Sequence, residues 1–192
     1  MILNLLEHSN IYMKKSTLYP LFIALIIFPF TTVAQPKIEL ETKVILNEAL
    51  EIKIPKGFDI MAEELMELKY PSQRRPTLVY SNKSGGINVG FNLTLQKADQ
   101  NIIEQYLGVF ESSFKNAYPS AEWMSAGIKI INGRKIGCLE MITPAMDTKI
   151  YNLIFFSDLN EKLLLCTFNC TEKDKNQWEK AAHEIMNSFL LK

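Results

Sequence analysis

The sequence predicts an α+β protein, a three-layer α/β/α sandwich with a mainly antiparallel sheet and helices on both faces. Three patterns lead to this prediction. The C-terminal half contains four strand-like segments joined by short turns. The last three of them are apolar at successive positions, so both of their faces need cover. Two helical segments with single apolar stripes can provide that cover.

The first half of the chain alternates short strands and helices. Strands are predicted at residues 44–46, 50–54 and 77–81, with a short helix at 61–68. Residues 87–95 alternate, with Ile87, Val89, Phe91, Leu93 and Leu95 on one face and Asn88, Gly90, Asn92 and Thr94 on the other. Asp99 is the predicted N-cap of a helix that runs to residue 116.

The second half is a meander that ends in a helix. Strands are predicted at residues 124–131, 135–143, 148–157 and 162–170, and Asn132-Gly133 is a strong hairpin signal between the first two. Thr171 caps the last helix, with Asp174 three residues on. The buried stripe of this helix consists of Trp178, Ala181, Ala182, Ile185, Met186 and Phe189.

Composition excludes several classes of protein. The chain has 192 residues, 47% of them hydrophobic and 22% charged, which suits one globular domain and not a disordered chain. Its 21 basic residues balance 21 acidic residues, so the basic excess of a nucleic-acid-binding protein is missing. Three cysteines cannot make a disulfide-stapled miniprotein.

The N-terminal segment has the pattern of a secretory signal peptide at residues 13–34. Lys14 and Lys15 precede the apolar run 21–28, and small residues lead to a cleavage site after Ala34. Residues 1–12 are an upstream extension, and residues 35–192 form a single domain, periplasmic or secreted, that meets the membrane only transiently through the signal. The alternative is an uncleaved anchor, because residues 16–36 carry no charge. No cysteine lies near the cleavage site, which excludes a lipid anchor there.

Four motifs resemble one known family, the PsbP-like (Mog/DcrB-like) α/β/α sandwiches. They are IPKGF at 54–58, the strand 87–95 before a helix, INGR at 131–134, and IMNSF at 185–189. The resemblance implies non-enzymatic roles, and an exported chain is most similar to the envelope members of the family. We therefore expect a non-enzymatic accessory protein that contacts an envelope protein partner and uses no cofactor. The alternative is a periplasmic small-ligand carrier that uses the space between sheet and helix or the Gly85-Gly86 region.

The residues that could carry chemistry are few. His183 stands at the flank of the last helix without a carboxylate at ligand spacing, so we expect neither a metal site nor a catalytic site. Cys166 and Cys170, four apart on one strand, and Cys138 are interpreted as buried thiols. One disulfide with one free thiol is the alternative. Glu140 interrupts an apolar strand and requires an ion pair or an exposed position.

The loop 69–76 is the most unusual stretch and gives the candidate partner-binding residues. Lys69, Tyr70, Arg74 and Arg75 concentrate three cations and an aromatic ring between prolines that restrict the backbone. Arginine can hold a carboxylate with two hydrogen bonds, so these residues are predicted to contact an acidic partner. The alternative is a rigid, solvated loop whose arginines pair with nearby glutamates at positions 63, 64 and 67.

The signal-peptide interpretation predicts the intact mass of the exported protein. Cleavage after Ala34 leaves a chain that begins at Gln35. Mass spectrometry of protein exported by its native host is expected to give the mass of residues 35–192. A mass that retains residues 13–34 would show instead that the segment is kept as an anchor.

Overall fold

A computed structural model describes residues 37–71 and 75–192 of the chain. The predicted signal peptide lies outside these residues. In the described part of the chain, no helix is long and apolar enough to cross a membrane. Its elements, in chain order, are β1 (Leu40–Ile45), β2 (Leu50–Pro55), β3 (Asp59–Ile60), α1 (Glu63–Lys69), β4 (Leu78–Ser81), β5 (Asn88–Lys97), α2 (Ile103–Ala117), β6 (Glu122–Ile131), β7 (Arg134–Pro144), β8 (Lys149–Leu159), β9 (Lys162–Thr171), α3 (Glu172–Asn187) and β10 (Leu190–Leu191).

The strands form two antiparallel sheets, so the class is α+β as predicted. Seven strands follow the order β3-β4-β5-β9-β8-β7-β6. A second sheet has the order β1-β2-β10, whereas the sequence had suggested one sheet. The second sheet forms because the chain turns back after α3 and pairs Leu190 and Leu191 with β2. The short β10 carries too little sequence pattern to be recognised alone.

The two long helices contact alternating residues of the central strands. The stripe of α2 packs on a set of buried residues that includes Leu139, Met141, Ile154, Phe156 and Leu163. The stripe of α3 packs in a larger core with Cys138, Tyr151, Leu153, Phe155 and Phe168. Successive side chains of a strand point to opposite faces, which is why these strands are apolar at every position. The predicted apolar stripes of both helices are confirmed.

The hairpin between β6 and β7 is also as predicted. Asn132 and Gly133 both have positive φ values, 48° and 77°. A two-residue turn with this backbone matches the right-handed twist of the strands that it joins. Asparagine and glycine adopt it at low cost, so the dipeptide sets the register of the hairpin.

Two details of the predicted elements are wrong. Leu95 was expected to be buried and is 90% exposed, because β5 extends past the end of the core, whereas Asn88 on its other face is buried. Asp99 does not cap α2. Its carboxylate accepts from the amide of Asn101 in a turn, and α2 begins only at Ile103.

Gly137 tests how tightly α2 and the sheet enclose the aromatic core. A Cβ at this position would overlap the ring of Phe156, which is fully buried. Gly137→Ala is therefore expected to lower the free energy of unfolding by about 1–3 kcal/mol in urea denaturation. Gly127→Ala is the matched control, because nothing lies within 4 Å of a Cβ there. Equal stability of the two variants would contradict this packing.

Candidate functional site

Three asparagines form a row across the middle of the large sheet. Asn88 on β5 is paired in register with Asn169 on β9, which is paired in turn with Asn152 on β8. Residues in register across neighbouring strands point to the same face. The row therefore lies on the face that α2 covers further along, since Asn152 is two residues from Ile154.

A chain of hydrogen bonds runs from Asn169 through Asn152 to β7, and each amide nitrogen donates towards β7. Asn169 donates from Nδ2 to Oδ1 of Asn152 at 2.6 Å. Asn152 donates in turn to Oγ1 of Thr143 at 3.0 Å and to the carbonyl of Ile150 at 2.8 Å. The amide hydrogens of this chain are thus turned towards β7 and away from Asn88.

Asn88 stands at the other end of the row and is not satisfied. Its side chain is 4% exposed, and its Oδ1 has no hydrogen-bond partner among the described residues. A buried acceptor without a partner costs about 1–3 kcal/mol, so such groups are rare in folded proteins. This oxygen has almost no accessible surface, so a molecule in a neighbouring cleft cannot donate to it as the side chain stands.

The row is the floor of a cleft of about 330 Å³, which we call the amide cleft. Lys69 and Tyr70 stand on one side, at the end of α1, and Tyr118, directly after α2, is also part of the wall. Lys69 donates to the carbonyl of Gly85, and burial lowers the pKa of its ammonium group. Burial raises the pKa of the Tyr70 phenol. The complete lining is Lys69, Tyr70, Gly86, Asn88, Tyr118, Thr143, Pro144, Ala145, Ile150, Asn152, Asn169 and Cys170.

The loop residues predicted to bind a partner lie in different surroundings in the structure. Lys69 and Tyr70 line the amide cleft, whereas Arg75 contacts Glu63 and Glu67 on α1. The pairing of Arg75 is the local arrangement that the sequence offered as the alternative. Arg74 lies outside the described residues. A partner for this loop stays a prediction.

A second polar cluster surrounds Glu140, which is 5% exposed on β7. Tyr151 donates to its Oε1 at 2.6 Å, and Nε2 of His183 lies 3.0 Å from the same oxygen. Ser125 donates to Oε2 at 3.0 Å. Burial opposes ionisation of the carboxyl, but the bonds to His183, Tyr151 and Ser125 outweigh it and lower the pKa of Glu140 to about 2. Burial and the neighbouring carboxylate raise the pKa of Tyr151.

This cluster corrects the interpretation of His183 as a histidine without a carboxylate neighbour. Glu140 lies 43 residues away in sequence, and only the packing of α3 on the sheet brings the two together. Glu140 is buried and has hydrogen-bond partners, so the exposed position predicted as one alternative is wrong, and its contact with His183 is an ion pair only when that ring is protonated. Glu179 stands one turn before His183 on α3, and one ligand atom from each of Glu140, Glu179 and His183 falls within 4.8 Å of the others. These three could together hold a divalent cation, although Glu179 also accepts from Lys175 at 2.8 Å.

Similarity to solved structures identifies the fold. No protein-family model matches the sequence, and no curated protein matches it. The solution structure of cyanobacterial PsbP (CyanoP) from Synechocystis sp. PCC 6803 is 14% identical, with a TM-score of 0.57 over 80% of this chain and 92% of that chain. The chain has a PsbP-like fold. The family resemblance predicted from the sequence is thereby confirmed at the level of the fold.

Two further solved structures match a similar share of the chain. LpqN of Mycobacterium tuberculosis, described as involved in cell envelope biogenesis, is 10% identical with a TM-score of 0.52 over 80% of this chain and 91% of that chain. A Bacteroides thetaiotaomicron protein is 10% identical with a TM-score of 0.53 over 79% of this chain. This chain spans about half of the Bacteroides protein, 48%.

The cysteines of this PsbP-like domain are buried thiols, as predicted. Cys138, Cys166 and Cys170 are all free and buried. Burial raises the pKa of Cys170 to about 12 and raises the pKa values of the other two as well. Because the thiolate is the reactive form, these side chains act as small apolar residues of the core.

The Glu140 cluster predicts a specific dependence of stability on pH. The folded pKa of about 2 is below the ordinary value of 4.5, so the stabilisation is present above pH 4.5 and lost as the pH falls towards 2. The lowered pKa corresponds to about 3 kcal/mol of stability. Glu140→Gln should be less stable than the wild type at pH 7, and the difference should narrow as the pH falls to 2.5. Urea denaturation at a series of pH values measures it.

Glu122→Gln is the control, because Glu122 is an exposed acid on the neighbouring strand that pairs with Lys149. A stability difference between wild type and Glu140→Gln that is the same at pH 7 and pH 2.5 would contradict the ionised, hydrogen-bonded state of Glu140.

Proposed function

We propose that this chain is an exported, non-enzymatic binding protein of the cell envelope that contacts a protein partner through its surface. Two observations support the cellular setting. Residues 13–34 have the pattern of a signal peptide, and LpqN, which shares the fold, is described as involved in cell envelope biogenesis. We further infer that residues 35–192 are one domain with helices on both faces of the large sheet. The alternating contacts of α2 and α3 support this arrangement.

The open edge of the seven-stranded sheet is the observation that carries the proposal. β6 is ten residues long, and in the described chain it pairs only with β7. Met124 and Ile130 on this strand are 40% and 67% exposed. A long edge strand with unpaired backbone groups and exposed apolar side chains is a site where an extended partner segment can add a strand.

A shallow groove along the same edge would take the partner's side chains. It has a volume of about 230 Å³, and it is lined by residues of α2 and of the start of β6. Trp123 stands in this groove, and Nζ of Lys115 lies 5.4 Å from the centre of its ring. An aromatic side chain at the centre of a small groove is typical of the anchor points of protein interfaces.

The arrangement of Glu140 supports a role without catalysis. Both of its oxygens already accept hydrogen bonds, from Tyr151 and His183 on one and from Ser125 on the other. A general base needs a free lone pair within reach of the substrate proton. Held in this way, the carboxylate joins α3 to the sheet, and three of its hydrogen-bonding positions are already taken.

The loop that contains Lys69, Tyr70, Arg74 and Arg75 is a second proposed contact for an acidic partner. Arg75 is held by α1 through Glu63, which would present its guanidinium in a fixed position. Contact through this loop and strand addition at β6 make different predictions. Only the affinity of binding through the loop is expected to fall strongly as the salt concentration rises.

A small-ligand carrier is the other candidate function, and the amide cleft favours it. The cleft contains Gly86 from the region that the sequence suggested for ligand binding, and its floor contains a buried, unsatisfied Asn88. Small-molecule sites are concave and contain a few polar groups at defined positions, which describes this cleft.

Photocrosslinking in cells tests the partner proposal. A photoreactive residue at position 124 or 130 is expected to capture the same protein in the envelope of the native host. Leu95 is the matched control, because it is an apolar strand residue, 90% exposed, on β5. With the photoreactive residue at position 124, Ile130→Lys should reduce the captured complex at least tenfold, since it places a charge on the edge strand to which the partner segment would be added.

Capture that is equal at positions 95, 124 and 130, or none at positions 124 and 130 in cells that export the chain, would contradict strand addition. Capture at position 124 that is lost in Arg74→Glu/Arg75→Glu and retained in Ile130→Lys would assign the partner to the loop instead.

A further inference from the structure

We propose that Glu140, Glu179 and His183 form a binding site for a divalent transition-metal ion of the zinc type, between α3 and the large sheet. Glu179 and His183 are four residues apart on α3, so they lie on the same face of the helix, one turn apart. Glu140 stands opposite them on β7, and one ligand atom from each of the three lies within 4.8 Å of the others. This place, which we call the helix–sheet metal site, is independent of partner binding at β6.

The distances between the ligand atoms suit an ion of this size. Zinc binds histidine nitrogen and carboxylate oxygen at about 2.0–2.2 Å, so two such ligands at a tetrahedral angle lie about 3.4 Å apart. Nε2 of His183 and Oε1 of Glu140 are 3.0 Å apart. A metal ion can therefore replace the hydrogen between these two atoms if they separate by about half an ångström. The side chain of Glu179 is 34% exposed, so it can adjust its position to complete the ligand set.

The carboxylate of Glu140 is oriented by two side chains that are not ligands themselves. Tyr151 donates to its Oε1 at 2.6 Å, and Ser125 donates to its Oε2 at 3.0 Å. Hydrogen bonds of this kind hold metal ligands in place in protein metal sites, and their loss weakens metal binding. A ligand that is already held also loses little conformational freedom when the metal binds. The buried member of the helix–sheet metal site is therefore preorganised.

The site already attracts a cation from the protein itself. Nζ of Lys175 lies 2.8 Å from Oε2 of Glu179 and 5.7 Å from the centre of the Tyr151 ring. Lysine side chains are mostly exposed in folded proteins, but that of Lys175 is only 18% exposed. Its position indicates that the two carboxylates of the site draw positive charge towards the sheet. A metal ion would meet the same attraction, and Lys175 would compete with it for Glu179.

The donor set favours zinc-like ions over magnesium and calcium. An imidazole nitrogen with two carboxylates suits a transition-metal ion, whereas Mg²⁺ and Ca²⁺ take oxygen ligands and need about six or more of them. The side chains of His183 and Glu179 are 29% and 34% exposed, so an ion can reach the site from solvent. Water can then occupy the remaining coordination position of the ion.

Titration of the exported protein with Zn²⁺, followed by NMR of the imidazole ring, tests the site. His183 is the only histidine after residue 34, so its ring signals report on one place in the chain. The protein is purified without a histidine tag, and a chelator removes bound metal before the titration. Zn²⁺ at micromolar concentrations is expected to shift the ring signals in a saturable way, with one ion per chain. Mg²⁺ and Ca²⁺ at the same concentrations should leave them unchanged.

Variants assign the binding to the three ligands. Glu179→Gln and His183→Gln alter partly exposed side chains, and each should weaken the affinity for Zn²⁺ at least tenfold in isothermal titration calorimetry. Glu184→Gln is the matched control, because Glu184 is a half-buried glutamate of the same helix that lies outside the cluster. Lys175→Met should raise the affinity, since it removes the competing ammonium group and keeps a long side chain beside Tyr151.

Two results would overturn the helix–sheet metal site. One is a set of His183 ring signals that Zn²⁺ does not shift even at millimolar concentrations. The other is an affinity for Zn²⁺ that is unchanged in Glu179→Gln, or that falls as much in Glu184→Gln as in Glu179→Gln, because the loss would then follow the charge of α3 and not the ligand set.

Discussion

The position of α3 on the sheet depends on one buried carboxylate. Glu140 occupies a position on β7 where its neighbours are apolar, and it stays ionised because Tyr151, Ser125 and His183 surround it. These partners come from three different elements, so the carboxylate is satisfied only when β6, β8 and α3 are all in place. Removal of any partner would leave the buried carboxylate with too few hydrogen bonds. This lowers the free energy of unfolding by more than the loss of one hydrogen bond at the surface does. The network therefore selects one placement of α3 among those that its apolar stripe would allow.

Asn88, another buried polar residue of the sheet, differs from Glu140 in its hydrogen bonding. Asn88 is as buried as Glu140, but its acceptor has no partner among the described residues, and it lies in a cleft and not beneath a helix. Natural proteins retain such unfavourable groups mainly where function requires them. Glu140 thus stabilises the contact of α3 with the sheet, whereas Asn88 Oδ1 makes no hydrogen bond among the described residues.

The sequence predicted features set by local pattern and missed those set by pairing over long distances. The stripe of α3 around Trp178 and the turn at Asn132-Gly133 follow from residues close together in the chain, so periodicity and turn chemistry were sufficient. The sequence placed Asn88 on the polar face of its strand but did not show that Asn152 and Asn169 lie on the same face. Only the register of β5, β9 and β8 shows which residues share it. The contact of Glu140 with His183 was missed for the same reason. An acid in an apolar strand was the signal that could have prompted a search for its partner.

Replacement of Asn88 by leucine tests most directly whether this residue is a buried, unsatisfied group in the folded protein. Leucine has a similar size and needs no hydrogen bond. Asn88→Leu is therefore expected to leave the free energy of unfolding unchanged or to raise it by up to about 1 kcal/mol. Urea denaturation of the domain without added ligand measures it. A loss of more than about 1 kcal/mol would contradict this account, because it would show that the Asn88 side chain makes stabilising hydrogen bonds in the folded protein.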